Sequence, residues 1–268
     1  VLSYNHPDLT EQAIESVLQL NFPEQQIYLV HNGSEEKNQL RLKKKFQYIQ
    51  HILIAQNNGF TQGANQGLKT AFKYHSKVFF MTNDTTLLKI PTVFPDAVHL
   101  TSPLIYKRKT DQIDSVIGAL DLRWGQLLHL RSIIEISSLA KNKILYAPGT
   151  AFGLSKNCYD TLMGFDESFH TYWEDVDFSY RAQQHGYKIE HTEAFQLRHK
   201  IGKTCHKNRF YTLYLFQRNR RLFFKKHNLL NFYFWMRYGS DLFKILTKIL
   251  LRSEKKTNLT YWWKALIE

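Results

Sequence analysis

The chain has 268 residues, 43% of them hydrophobic, which suits one large packed domain or a domain with a helical appendage. Lys and Arg number 36 against 23 acidic residues, a formal charge of +13 that points to an anionic partner: nucleic acid, a phosphorylated substrate or an acidic membrane. Cys158 and Cys205 form no Cys-x-x-Cys pattern, which argues against a disulfide framework or a cysteine zinc site and favours a reducing, cytoplasmic setting.

The first 90 residues alternate strand and helix signals. Val1–Tyr4 reads as the tail of a first strand, so a few residues are expected to precede it. No signal peptide is visible, and no apolar run approaches the roughly 20 residues that span a bilayer. The Asn-x-Ser/Thr matches at Asn32, Asn83 and Asn258 are therefore read as chance. Asp8 to Leu20 reads as a helix with Asp8 as its N-cap and Ala13, Val17 and Leu20 at helical spacing. Gln26–Val30 is a second strand, Glu35–Phe46 a charged helix, His51–Ala55 a third strand, Gln62 to His75 a helix and Val78–Met81 a fourth strand. Strands alternating with helices predict a parallel sheet covered on both faces, with ligands beyond the strand C-termini. Asn5, Asn32, Asn58 and Asp84 fall there, one per strand.

The pattern from about 95 to 145 is mixed, with a polar loop at Lys107–Asp111 and a strand or hairpin at Asp114–Leu122. Tyr146–Leu154 reads as one strand through Pro148-Gly149-Thr150, and Tyr187–Glu190 and Ala194–Leu197 as two short ones. Residues 207–256 are rich in Lys, Arg, Phe, Tyr and Leu. Asp241 to Arg252 puts Leu242, Ile245, Leu246, Ile249 and Leu250 on one face and Lys244, Lys248 and Arg252 on others. That is a basic amphipathic helix, suited to an anionic membrane surface or to packing on the main domain or a second copy of the chain.

Between these segments lies Trp173-Glu174-Asp175-Val176-Asp177, three carboxylates within four positions, just after Gly164-Phe165-Asp166-Glu167. A helix is expected from Phe178 to Gly186, so the acids sit at its N-terminus, where the macrodipole favours ionised carboxylates. A capped surface helix explains such acids simply. An adjacent Trp fits better with a partly apolar cleft, where a carboxylate can serve as general base.

In order and spacing these segments resemble the inverting glycosyltransferases with the A-type glycosyltransferase fold, in particular family-2, rhamnosyltransferase-like bacterial members that build surface polysaccharides. The resemblance covers residues 1 to about 225 and rests on five segments: Tyr4-Asn5, His31-Asn32-Gly33-Ser34, Asn57-Asn58-Gly59-Phe60 with Gly63 and Asn65, Thr82-Asn83-Asp84-Thr85, and the acidic block with Arg181. His31 stands where the family usually has Asp, and Thr82 replaces the first residue of the metal-binding segment. The resemblance implies a catalytic domain over 1–205 and a basic helical segment over 206–268. It implies a donor site at Tyr4, Asn5, His31, Asn58, Gly59, Gly63, Asn65 and Asn83, with Mg2+ or Mn2+ on Asp84 and His199. It further implies Asp175 as general base, with Trp173, Glu174 and Asp177 holding the acceptor. The expected partners are a nucleotide-diphosphate sugar and a saccharide or lipid-linked acceptor. Lys200, Lys203, Lys207 and Arg209 could reach the diphosphate, although a solvated basic face explains most of them more simply, and Arg218-Asn219 resembles a family pair on the next helix.

Two other classes fit parts of the chain. A nucleotidyltransferase shares the α/β sheet and an Asp-bound metal but needs a Gly-rich basic loop near the first strand, which Asn5-His6-Pro7 does not supply. A nucleic-acid-binding protein expects basic charge mixed with aromatics on the working face, whereas here the charge lies after residue 200, away from the motifs. No specific nucleic acid is therefore expected.

Overall fold

A computed structural model describes residues 1–91, 94, 99–108, 110–200, 209–250 and 256–267. Lys203, Cys205, Lys207, Arg252 and Lys255 lie outside the described residues, as do the side chains of Arg209, Leu250 and Lys256.

The N-terminal half runs β1 (Leu2–Ser3), α1 (Pro7–Leu18), β2 (Tyr28–Asn32), α2 (Glu36–Lys45), β3 (Gln50–Ile54), α3 (Phe60–Ala71) and β4 (Lys77–Met81). β1, β2 and β3 pair in parallel, and β1 reaches the end of β4 through a parallel bridge from Leu2 to Thr82. Alternate residues of β2 serve opposite faces, as a pleated strand requires. Leu29 packs with Ala13 and Ile14 of α1 and Leu42 of α2, while Val30 packs with Ala64 and Leu68 of α3. The sheet is therefore covered on both sides, as the alternating pattern predicts. Asp8 is not the N-cap of α1. The helix starts at Pro7 after His6 in left-handed conformation, and Asp8 sits in the first turn, paired with Arg41 at 2.7 Å.

Next come β5 (Thr85–Lys89), β6 (Leu100–Lys107), β7 (Ile113–Ser115), β8 (Ile117–Asp121), β9 (Gln126–Leu130), α4 (Ile133–Ser137), β10 (Lys143–Tyr146), β11 (Ala151–Ser155), α5 (Lys156–Leu162), α6 (Glu174–Gln184) and β12 (Ile189–His199). A mixed sheet has the order β4-β11-β6-β12-β5, with β7 on β6, and β10-β8-β9 form a small antiparallel sheet. Two expectations change. Residues 146–154 are two strands in different sheets, because Pro148 cannot donate to a ladder and the chain breaks at Pro148-Gly149-Thr150. Residues 189–199 are one strand, with a register shift between Thr192 and Gln196 where two strands were expected.

The C-terminal helices are α7 (Arg209–Lys226), α8 (Phe232–Leu250) and α9 (Lys256–Ile267). Phe223, Phe224, Phe234, Tyr238, Leu242 and Ala265 share one buried cluster with Leu120, Tyr146, Phe169, Trp173 and Val176. The helices α7, α8 and α9 thus pack directly beneath the acidic block. α8 begins at Phe232 rather than Asp241, and its anticipated lipid-facing stripe points inward: Leu242 and Ile249 are buried and Ile245 is partly buried. Tyr238 donates to the Ala265 carbonyl at 2.6 Å and Trp262 Nε1 to the Leu242 carbonyl at 2.8 Å, locking α8 to α9. Among the described residues no helix is long and apolar enough to cross a membrane.

Gly118 of β8 lies opposite Tyr146, and a Cβ there would meet the ring at 2.2 Å. Gly118→Ala is expected to cost about 1–3 kcal/mol by overpacking, read as a lower denaturation midpoint at unchanged slope.

Candidate active site

The acidic block sits at the N-terminus of α6, but the helix starts at Glu174, so all three carboxylates lie in its first turn. The chain reaches it through an unusual loop. His170, Tyr172 and Trp173 all have left-handed φ, at 60°, 70° and 69°. Each such residue costs on the order of 1 kcal/mol. Asn219 of α7, fully buried, holds this loop: its Nδ2 lies 2.6, 2.7 and 2.7 Å from the carbonyls of Phe169, Thr171 and Tyr172. Three acceptors around one atom require it to be the amide nitrogen. Arg218 adds a bond to the Ser168 carbonyl at 3.1 Å. The Arg-Asn pair is thus a clamp on the loop that presents the acids. Gly59 completes this packing, since a Cβ there would lie 2.4 Å from the His170 ring.

The three carboxylates have different surroundings. Asp175 is partly exposed and accepts the Gly149 N–H at 2.8 Å through Oδ2 and the Val176 N–H at 2.8 Å through Oδ1. Burial against Ala147, Phe152 and Phe178 pushes its pKa up, and the two N–H donors oppose that rise. Glu174 is buried, and its Oε2 has no hydrogen-bond partner. Burial and the neighbouring Asp175 charge push its pKa well up. Glu174 is therefore the member of the pair pushed further toward its protonated form, while two N–H donors favour the carboxylate of Asp175. Asp177 is fully buried and bonded to Arg181 at 2.7 Å and to Lys226 and His227 at 2.8 Å. Burial alone would raise its pKa; the His227 hydrogen bond and the charges of Arg181 and Lys226 hold it below the ordinary value.

Two of the residues expected on the acceptor side are buried. Asp177 is a fully buried ion-pair hub joining α6 to α7, with both oxygens bonded within the protein. Trp173 is 1% exposed, packed against Phe216, Phe223 and Phe224, so it supports the acids from below and faces no acceptor.

At the other end of the site, Asp84 Oδ2 and His199 Nε2 lie 3.4 Å apart, brought together by pairing of β5 with β12. Two cis ligands of one octahedral ion at ~2.1 Å sit about 3.0 Å apart, so this pair fits Mg2+ or Mn2+ with little adjustment. Thr82 Oγ1 donates to Asp84 Oδ1 at 2.6 Å and orients the carboxylate. Among the described residues no third His, Cys, Asp or Glu joins them, so an ion here would complete its shell with water and substrate oxygens.

The strand-end residues divide. Tyr4 and Asn58 are exposed at the C-terminal edge. Asn5 Oδ1 accepts from the Glu35 N–H and Asn38 Nδ2, which ties the loops after β1 and β2. Asn83 bonds Thr10 at 3.0 Å, and Asn65 bonds the Phe165 backbone in both directions. The space beside Gly63 is filled by Asn32 and Leu2. His31 is fully buried against His51 at 2.9 Å, and burial drives its pKa down to about 4, so it is neutral. These side chains build the edge from within rather than line it. Three residues noted in the sequence without a role prove to be contributors: Asn57, which accepts from the Gly59 N–H and Asn32; Gly149; and Asn219 as a clamp. Pro148-Gly149 was the available signal, as a strand breaker. Lys200 reaches Gln12 and, through its N–H, the Asp84 carbonyl.

No protein-family model matches the chain, and no curated protein is similar to it in sequence. Solved structures are similar in fold. A GalNAc-T7 structure with UDP, GalNAc and Mn2+ superposes with a TM-score of 0.61 at 15% identity, over 84% of this chain and 46% of its own. The mannosyltransferase PcManGT from Pyrobaculum calidifontis, with GDP-Man and Mn2+, gives 0.56 at 12% identity over 99% of this chain and 84% of its own. The fold is the A-type glycosyltransferase fold. Residues 1–349 of S. aureus TarS give 0.52 at 14% identity, over 99% of this chain and 77% of that one. The chain spans just under half the length of the GalNAc-T7 structure.

Asp177→Asn removes the common partner of Arg181, Lys226 and His227 and is expected to cost about 3 kcal/mol in stability, read by chemical denaturation. Because the folded pKa of Asp177 is depressed, the wild-type contribution is complete above ~4 and is lost as pH falls through the lower folded value. The variant should lack that part of the acid dependence.

Proposed function

We propose that this chain transfers a sugar from a nucleotide-diphosphate sugar to a hydroxyl of a saccharide or lipid-linked acceptor, with inversion, as in the synthesis of bacterial surface polysaccharide. One observation carries the reading. The break Gly149-Thr150 connects both halves of the site. Gly149 N–H holds the Asp175 carboxylate at 2.8 Å, and the Thr150 carbonyl takes the Thr82 N–H at 3.0 Å. Thr82 in turn orients Asp84. A candidate base and a candidate metal ligand are thus set by adjacent residues of one loop. GDP-Man, bound in the PcManGT structure, is a nucleotide-diphosphate sugar of the proposed class, and the GalNAc-T7 structure holds UDP, the nucleoside diphosphate such a donor would release, with GalNAc.

The roles follow from the three environments. Asp177 is consumed by ion pairs and Glu174 is pushed well toward its protonated form, which leaves Asp175, held by two N–H donors, as the carboxylate to take a proton. Asp175 removes the proton of the acceptor hydroxyl as its oxygen attacks the anomeric carbon; the bond to the diphosphate breaks, and the nucleoside diphosphate leaves. One carboxylate suffices for this single displacement, unlike hydrolysis between a carboxylate pair. A divalent cation on Asp84 and His199 would supply charge neutralisation to the departing diphosphate.

Asp175→Asn should keep the fold and donor binding and lose on the order of 10²–10⁴ in transfer rate. Glu174→Gln imitates the protonated state and should keep most of the activity. Wild-type transfer should fall as pH drops through an apparent pKa above the ordinary ~3.9, since the base works only when ionised. Equal loss in both variants would remove Asp175 from its special place.

Asp84→Ala should weaken Mn2+-dependent binding of a nucleoside diphosphate more than His199→Ala does, because a hard anionic ligand is lost rather than a neutral imidazole. Isothermal titration with and without Mn2+ measures both. Unchanged affinity in the two variants would place the metal elsewhere.

A further inference from the structure

Residues 206–268 hold 14 Lys and Arg against 3 acidic residues, whereas residues 1–205 hold 22 against 20. Nearly all the net charge thus belongs to the helices that pack beneath the acidic block. α8 in this segment has three faces. Phe234, Tyr238, Leu242 and Ile249 are buried in the core. Phe232, Trp235, Met236 and Phe243 recur at helical spacing on another side and are 72%, 45%, 53% and 65% exposed. Gly239 completes that stripe at its middle, with open space around it. Arg237, Lys244 and Lys248 occupy the third side, with Lys244 and Lys248 exposed. Four large apolar side chains in open water on one helix are more than the scattered exposure of an ordinary surface.

From this geometry we infer that the Phe232–Trp235–Met236–Phe243 face of α8 docks on an anionic lipid surface. The aromatic rings and Met236 enter the headgroup boundary, where Trp and Phe are at home, and Lys244 and Lys248 reach the phosphates beside them. The occupant is chosen by charge. A second copy would bring two strongly basic segments together, while an acidic bilayer complements both the stripe and its surroundings. The docking stripe is not the one the sequence suggests: Leu242 and Ile249 face inward, so the helix binds lipid with one side and its own domain with the other. The inference stands on the surface alone and is independent of the transfer chemistry proposed above; bound in this way, the site would meet a lipid-linked acceptor at the surface that carries it.

The test is co-sedimentation of the full chain with vesicles of phosphatidylcholine alone or mixed with phosphatidylglycerol, at low and high salt. The chain should pellet with the acidic vesicles at low salt and be released by high salt. The double variant Lys244→Gln, Lys248→Gln should bind about 30-fold more weakly. Trp235→Ala with Phe243→Ala should bind at least about tenfold more weakly while melting like the wild type, since neither side chain belongs to a buried cluster. Met236→Gln is a second variant of the same face should the double variant melt early. The proposal is overturned if the chain stays in the supernatant with acidic vesicles at low salt, or if the face variants bind like the wild type. It is also overturned if sedimentation without lipid shows a dimer that Trp235→Ala with Phe243→Ala dissolves, for then a second copy covers the face. None of these readouts depends on transferase activity.

Discussion

The site depends on a backbone break. Pro148 cannot donate to a sheet ladder, so the chain leaves β10 and enters β11 in a different sheet. The N–H of Gly149, freed from strand pairing, is spent on the Asp175 carboxylate. One residue later, the Thr150 carbonyl receives the Thr82 N–H beside Asp84. β11 pairs with β4 directly after the break, Ala151 against Met81, so the position of the loop is dictated by the sheet. A carboxylate on a helix and a carboxylate after a strand are in this way referred to one rigid edge. A residue with a bulky side chain at 149 would press on Glu174 and Asp175, whose atoms already lie 3.4 and 3.5 Å from the position of a Cβ.

Glu174, Asp175 and Asp177 share one helix turn and one macrodipole, so neither explains their differences. Environment does. Asp177 meets three cationic or hydrogen-bonding partners that hold its pKa below the ordinary value; Asp175 meets two backbone N–H groups; Glu174 meets no partner at Oε2, and burial with the Asp175 charge pushes its pKa up. Separating neighbouring carboxylates by their surroundings is a general way of assigning acid and base roles. It also makes the block costly, because a buried acid and three left-handed residues precede or occupy it. That cost is offset by α7. Asn219 closes the loop, Lys226 joins Asp166 to Asp177, and Phe223 and Phe224 seal Trp173 below.

The C-terminal helices therefore have two roles that pull on their composition differently. Their inner faces finish the core under the acids, which requires aromatic and aliphatic side chains. Their outer faces carry Lys225, Lys244, Lys248 and Lys264 and a row of exposed aromatics. α8 serves both purposes because a helix can present separate faces about a third of a turn apart.

The sequence by itself determined the alternation of strands and helices, the gathering of Asn5, Asn32, Asn58 and Asp84 at the strand C-termini, and the placement of the acids at a helix N-terminus. These follow from periodicity of 2 and 3.6 residues and from local breakers, all written within a few positions of one another. Asp84 and Asp175 stood out as candidates through short motifs that resemble those of a known family. Tertiary structure decided what those motifs touch. That Asp177 is bonded to Lys226 and His227, about fifty positions away, and Asn219 to Thr171, depends on contacts between distant elements. Periodicity also found the apolar stripe of Leu242 and Ile249 but could not say whether water, lipid or protein lay against it. A hydrophobic face specifies burial and leaves the partner to packing, and here α7 and α9 fill that place, leaving Trp235 and Phe243 outside.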